Sequence, residues 1–176
     1  MKYFYVENDS KYMYPMCQKW YGVLDPKHLE KKKFYELPKH LFFFVDENMQ
    51  MEFTDFILSP CFMVTERVRR VIALYDTSVK YKRVILFDKR EKMSKAYYIV
   101  FLQEIDCIIE SDRLERNKIG EIKIEERKIT NRTIFKLCYR NKIFIIVRLD
   151  LIESILRRNA VGIGLSEAKI TLCQKE

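Results

Sequence analysis

A carboxylate and a lysine separated by one residue form the pattern that most directly suggests catalysis. Glu121 and Lys123 lie downstream of two further acidic residues, Asp106 and Asp112. Many magnesium-dependent nucleases use such a set, because the carboxylates hold the metal ion while a lysine on the same strand face assists the attacking water. Glu121 and Lys123 would equally form the solvent-exposed face of an amphipathic strand. A metal-dependent nuclease is therefore an alternative function. The function that we favour on the grounds given below requires no metal ion.

The histidines, cysteines and glycines do not add a metal or cofactor site. His28 and His40 lie twelve residues apart in the least regular part of the chain, and the five cysteines include no Cys-x-x-Cys pair. Gly162 and Gly164 follow a predicted helix, whereas a dinucleotide site places its glycines before a helix N-terminus. We expect Gly162 to have a positive φ near the helix end. The sequence thus predicts a protein without a cofactor.

Two charged segments are the candidates for a binding surface. The acidic strip consists of Glu104, Asp106, Glu110 and Asp112, and it follows a predicted strand that contains Tyr97. The basic patch consists of Lys80, Lys82, Arg83, Lys89 and Arg90, in a chain whose formal net charge is +8. A basic patch can attract nucleic acid or an acidic protein, but lysines on an edge strand also discourage pairing between sheets. A basic nucleic-acid-binding module is therefore the second alternative function.

A strand–helix pattern occurs twice and supplies the regular part of the fold. FMVTERVRRVI begins at Phe62, and IIVRLDLIESI begins 83 residues later at Ile145. Each has a short apolar run followed by apolar residues at helical spacing. Thr65 is the predicted N-cap of the first helix, and Asp150 with Glu153 forms a predicted capping box on the second. The equivalent apolar positions are Val64 and Val147, Val68 and Leu151, and Ile72 and Ile155. We expect both helices to cover one side of a common sheet.

The composition and the strand patterns predict one α+β domain with a mainly antiparallel sheet and a few helices. The chain has 176 residues, of which 48% are hydrophobic and 14% aromatic, and only four are glycine and four proline. Residues 1–58 form an irregular N-terminal subregion with a predicted hairpin in LFFFVDENMQMEF, and residues 59–176 form the regular subregion. The predicted core contains Phe62, Val64, Val68, Ile72, Tyr98, Val100, Ile145, Val147, Ile152 and Ile155.

The sequence also bears on location. No run approaches the ~20 apolar residues of a membrane-spanning helix, and the first residues, MKYFYVENDS, lack the apolar region of a secretory signal. We therefore expect a cytoplasmic protein that does not bind a membrane.

Three segments between Asp55 and Leu165 carry a family resemblance. They are DFILSPCFMVTERVRRVI from Asp55, the pair Tyr97-Tyr98 with Glu104-Ile105-Asp106-Cys107, and IFKLCYRNKIFIIVRLDLIESILRRNAVGIGL from Ile134. In these segments the chain resembles a family of bacterial immunity-type proteins, many of which are encoded beside contact-dependent or secreted polymorphic toxins. Thr65 stands where the family usually has serine. The resemblance implies a non-enzymatic protein that binds and neutralises a partner toxin, and it implies no catalytic residues.

The resemblance also suggests which surface binds. Toxins that cut nucleic acids tend to be basic around their active sites, so a neutralising protein is expected to present acidic groups that speed encounter and fix register. We therefore predict that the acidic strip, flanked by Tyr97, contacts the partner and that the basic patch faces solvent.

Overall fold

Two large β-sheets and a small two-stranded sheet form the framework of the protein. The computed structural model describes residues 1–24, 29, 35–46, 51–109 and 122–171. In that part of the chain the strands are β1 (Tyr3–Asn8), β2 (Cys17–Gln18), β3 (Leu41–Val45), β4 (Phe56–Ile57), β5 (Met63–Val64), β6 (Lys80–Asp88), β7 (Met93–Phe101), β8 (Lys123–Glu125), β9 (Ile134–Tyr139), β10 (Lys142–Arg148), β11 (Ile163–Glu167) and β12 (Lys169–Thr171). The helices are α1 (Glu66–Tyr75), α2 (Glu126–Ile129) and α3 (Leu149–Leu156).

The strand order shows an α+β fold in which most neighbours are antiparallel. The six-stranded sheet has the order β2-β3-β6-β7-β5-β4, and the four-stranded sheet has the order β11-β1-β10-β9. Among the described strand pairs, β3 with β6 and β8 with β12 run parallel, and the others are antiparallel. The N-terminal subregion contributes strands to both large sheets, because β1 pairs with β10 and β11 while β3 pairs with β6.

The repeated strand–helix pattern is confirmed, but the prediction of a common sheet is wrong. β5 leads into α1 from the six-stranded sheet, and β10 leads into α3 from the four-stranded sheet. Each helix buries its apolar stripe in one cluster that both units share, which includes Val68 and Ile72 of α1 and Leu151 and Ile155 of α3. Because the two helices cover each other's apolar stripes as well as their own sheets, neither unit needs the other's strands.

The helix ends differ from the sequence prediction in their details. Thr65 occupies the N-cap of α1 as predicted, but its hydroxyl donates to Asp55 instead of capping the helix. The predicted capping box on the second helix is wrong, since α3 begins at Leu149 with Arg148 at the N-cap. The Asp150 carboxylate accepts instead from Arg148 Nε, at 2.8 Å.

Nine of the ten predicted core side chains are buried, and the exception is Tyr98. The Tyr98 ring is half-buried and lies under the guanidinium of Arg69, whose Cζ is 5.0 Å from the ring centroid. A second cluster, which includes Leu41, Phe43 and Leu86, fills the other side of the six-stranded sheet beneath the N-terminal subregion. None of the helices in the described residues is long and apolar enough to cross a membrane.

Candidate binding surfaces

The structure describes only part of the predicted acidic interface. Glu104 and Asp106 are exposed, whereas Glu110 and Asp112 lie outside the described residues. Glu104 pairs with the Nζ of Lys136 at 3.6 Å. The prediction that Tyr97 contacts a partner is wrong, because its ring is fully buried and its hydroxyl donates to the carbonyl of Thr54 at 2.6 Å. Tyr97 lies on the face of β7 that points into the second core cluster.

The predicted nuclease residues also fall partly outside the description. Lys123 is exposed on β8 and the next residue, Ile124, is buried, as expected for an amphipathic strand. Glu121 lies outside the described residues, as does Asp112. Within the described ranges, no three His, Cys, Asp or Glu side chains are grouped so that they could hold a metal ion.

The basic patch is divided between the two faces of the six-stranded sheet. Successive side chains of a strand point to opposite faces, so Lys80 and Lys82 lie on the face opposite to Arg83. Lys82 is half-buried, and its Nζ donates to the carbonyl of Leu37 at 3.2 Å. At the turn after β6, Arg90 pairs with Glu91 at 3.0 Å. The basic patch is therefore not one continuous surface. Arg83 and Lys89 are the two members that lie beside the same group of aromatic side chains.

A surface that the sequence analysis missed lies on the same face as Arg83. β3 pairs in parallel with β6, which places Phe42 opposite Ile85 and Phe44 opposite Phe87. The ring centroid of Phe87 is 6.0 Å from that of Phe42 and 6.0 Å from that of Phe44. Phe42 and Phe44 are 53% and 44% exposed, respectively. We call this surface of Phe42, Phe44, Ile85 and Phe87 the aromatic face.

Positive charge borders the aromatic face at both ends. The Nζ of Lys89 lies 4.4 Å from the ring centroid of Phe44, within the range of a cation–π contact. Toward α1, Arg83 lies opposite Tyr98 in the β6–β7 register. The guanidinium of Arg69 is 5.6 Å from the Tyr81 ring and 5.0 Å from the Tyr98 ring. The exposed rings therefore lie between basic side chains on one sheet face.

The Glu66 carboxylate holds the arginines at the edge of this surface in place. It accepts from Arg69 Nε at 2.6 Å and from Arg70 Nε at 2.8 Å. These hydrogen bonds, with that from Arg69 the largest cause, lower the pKa of Glu66 to about 2. Glu66 thus stays ionised at neutral pH and orients the Arg69 guanidinium over the two tyrosine rings.

One sequence signal could have suggested half of the aromatic face. LFFFV alternates, so a strand that buries Leu41, Phe43 and Val45 must present Phe42 and Phe44 on its other face. The predicted hairpin paired β3 with the residues that follow it in sequence, so it did not suggest the rest of the aromatic face. In the structure β3 pairs instead with β2 and β6, and the described residues 51–55 form no strand. The parallel neighbour β6 is distant in sequence, so no local pattern places Phe87 beside Phe42 and Phe44.

No protein-family model matches the chain, and no curated protein is similar to it at a significant level. The resemblance to immunity-type proteins therefore remains a prediction.

Proposed function

We propose that this chain is a non-enzymatic, cytoplasmic protein that binds another protein, in the manner of an immunity protein that neutralises a toxin. The observation that carries the proposal is the aromatic face, where Phe42, Phe44 and Phe87 form one exposed apolar surface beside Arg83 and Lys89. Exposed apolar surfaces with a polar rim are characteristic of interaction sites. Aromatic residues and arginine are also enriched where protein interfaces gain most of their binding energy.

The ring geometry favours a protein over a single-stranded nucleic acid. Bases bind to aromatic platforms by stacking on open ring faces. Here Phe42 and Phe44 both pack against Phe87 at tilts of 34° and 41°, and the Lys89 ammonium lies over the Phe44 ring. A continuous apolar surface of this kind fits an apolar protein surface, and Arg83 and Lys89 suit acidic groups around its edge.

This assignment moves the expected interface away from the acidic strip. Glu104 already pairs with Lys136, and Tyr97 is buried. The basic character of the aromatic face implies an acidic partner surface, which is the opposite of the charge pattern expected from the sequence.

A comparison of interface variants tests the proposal. The protein and its Phe42→Ser/Phe44→Ser variant would be used in parallel to capture partners from the native host, and the partner would then be purified for affinity measurements. We expect the double variant to bind at least tenfold more weakly, because interface aromatics are frequent hot spots. Leu74→Ser is the matched control, since Leu74 is an exposed apolar residue on α1.

Charge reversals discriminate between the surfaces. If the aromatic face binds, Arg83→Glu with Lys89→Glu weakens binding, whereas Glu104→Lys with Asp106→Lys does not. The reverse result would assign the interface to the acidic strip. Binding of a single-stranded oligonucleotide with an affinity that falls steeply with salt, and that is lost in the Phe42→Ser/Phe44→Ser variant, would favour the nucleic-acid alternative.

A further inference from the structure

A cleft between the two large sheets has the properties of a small-molecule site. Its volume is about 360 Å³, within the range of roughly 300–1,000 Å³ that is common for ligand pockets. One wall is formed by β1, β9 and β10 of the four-stranded sheet, and the other by β7 and the segment before β5. The cleft is separate from the aromatic face, so this inference does not depend on the proposed function.

Apolar side chains form most of the cleft. Val6 and Ile145 line it from the four-stranded sheet, and Phe62, Val100 and Leu102 line it from the opposite wall. All five belong to the cluster that α1 and α3 share, yet each retains a small exposed fraction. A ligand with an apolar body would remove this surface from water, which is favourable in proportion to the area covered.

Lys136 places a positive charge on the same wall. Ile145 lies directly opposite Lys136 in the β9–β10 register, and residues opposite each other in neighbouring strands project to the same face. Because Ile145 lines the cleft, the Lys136 side chain also faces it. That side chain is 15% exposed, and its Nζ pairs with the Glu104 carboxylate at 3.6 Å. The Lys136 ammonium has three N–H donors, so it can pair with a second anion in addition to Glu104.

Asn8 adds an unsatisfied polar atom. Asn8 and Val6 are two residues apart on β1, so they share the face that lines the cleft. The Oδ1 of Asn8 is buried and accepts no hydrogen bond. A buried acceptor without a donor costs free energy, which a ligand N–H or O–H group would recover.

We propose that this cleft binds a small amphipathic acid that carries a hydrogen-bond donor near its carboxylate. The apolar body would lie among Val6, Phe62, Val100 and Ile145, the carboxylate would pair with Lys136, and the donor would reach Asn8. The cleft is near the small end of the volumes common for ligand pockets, which suits a short acyl chain with a polar head.

N-hexanoylglycine is a suitable probe, because it combines an acyl chain, an amide N–H and a carboxylate. Calorimetry with the intact protein should detect its binding, and the neutral analogue N-hexanoylglycinamide should bind at least tenfold more weakly. The Lys136→Met variant keeps the apolar stem and should bind the acid and the amide equally. Lys142→Met is the matched control, since Lys142 is an exposed lysine at the start of β10 and should retain the preference for the acid.

Two further results would test the position of the site. Leu58→Trp should enlarge a half-buried wall residue of the cleft and weaken binding of both compounds. Equal affinities of the unmodified protein for acid and amide would overturn the role of Lys136, and no binding of either at millimolar concentration would overturn the site itself. The comparison of acid with amide needs no variant, so it remains decisive if Lys136→Met does not fold.

Discussion

The carboxylate of Asp55 accepts a hydrogen bond from the hydroxyl of Thr65, the residue at the N-cap of α1. Its second oxygen accepts from the backbone N–H of Val161 at 3.0 Å, in the segment that follows α3. Asp55 is only 6% exposed, and its bond with Thr65 is buried whereas its bond with Val161 is partly buried. One buried side chain therefore joins the beginning of the first strand–helix unit to the end of the second.

Removal of the Asp55 carboxylate should strongly destabilise the protein. Asp55→Ala leaves the buried Thr65 hydroxyl and the partly buried Val161 N–H without this acceptor, and we expect a loss of about 3 kcal/mol in the free energy of unfolding. Thr65→Val should cost about 1–2 kcal/mol, and the double variant should cost less than the sum because both changes remove the same bond. Urea denaturation measures all three. Thr77→Val, at an exposed position after α1, should have little effect, and strict additivity would argue against the direct bond.

Gly22 and Gly162, which both have a positive φ, allow the cost of backbone strain to be measured separately from the cost of a steric collision. Gly162 has a φ of 80°, as the sequence predicted, and an added Cβ there would collide with the Cβ of Thr54. Gly22 has a φ of 84°, but an added Cβ would meet nothing within 4 Å. Gly22→Ala should therefore cost about 1 kcal/mol through conformation alone, and Gly162→Ala should cost several kcal/mol more. Thermal unfolding of both variants tests this, and equal shifts would contradict the close approach of Thr54.

Adjacent positions on α3 offer a test of the shared helix core. Ile155 is 2% exposed, whereas Leu156 is 42% exposed. Ile155→Asp buries an unpaired charge at a cost of several kcal/mol and should prevent soluble expression. Leu156→Asp should express normally and unfold within about 0.5 kcal/mol of the unchanged protein. Normal expression and melting of Ile155→Asp would refute the packing of α3 described above.

The Glu66 pKa predicts a weak acid dependence of stability. Its pKa is lowered from 4.5 to about 2 by hydrogen bonds from Arg69 and Arg70. A lowered pKa in the folded state contributes stability above pH 4.5, and this contribution is lost as pH falls toward 2. Because Glu66 is 37% exposed, solvent screening keeps the effect below about 1 kcal/mol. NMR titration should place the Glu66 midpoint near 2, and Arg69→Met should raise it; an unchanged midpoint in that variant would contradict the assigned cause.

The local elements were predictable from the sequence because their signals are local. Apolar residues at helical spacing identified α1 and α3, and nine of the ten predicted core residues are buried. Tyr97 and Tyr98 illustrate what local sequence patterns cannot predict. Alternation states that Tyr97 and Tyr98 face opposite sides of β7, but which one is buried depends on pairing with β6 and β5, which is not local. For that reason the predicted contact residue, Tyr97, lies in the core.

The two candidate sites depend even more on distant contacts. The aromatic face needs β3 beside β6, and the cleft needs β1 and β10 opposite β7. Along the chain the basic segment contains Phe87, but the phenylalanines that lie beside it, Phe42 and Phe44, come from the N-terminal subregion. The sequence alone identifies the charged segments, but it does not show on which face of the folded protein they lie.

The pairing of β1 also constrains when the protein can fold during synthesis. Tyr3 lies opposite Arg148, and Phe4 lies opposite both Val147 and Glu167. β1 therefore lies between β10 and β11, which are synthesised more than 130 residues after it. At roughly 5–20 residues per second, β1 waits on the order of ten seconds before its partners leave the ribosome. During that interval an apolar strand with both edges open can pair with other chains, so the nascent protein should depend on chaperones more than its finished structure suggests.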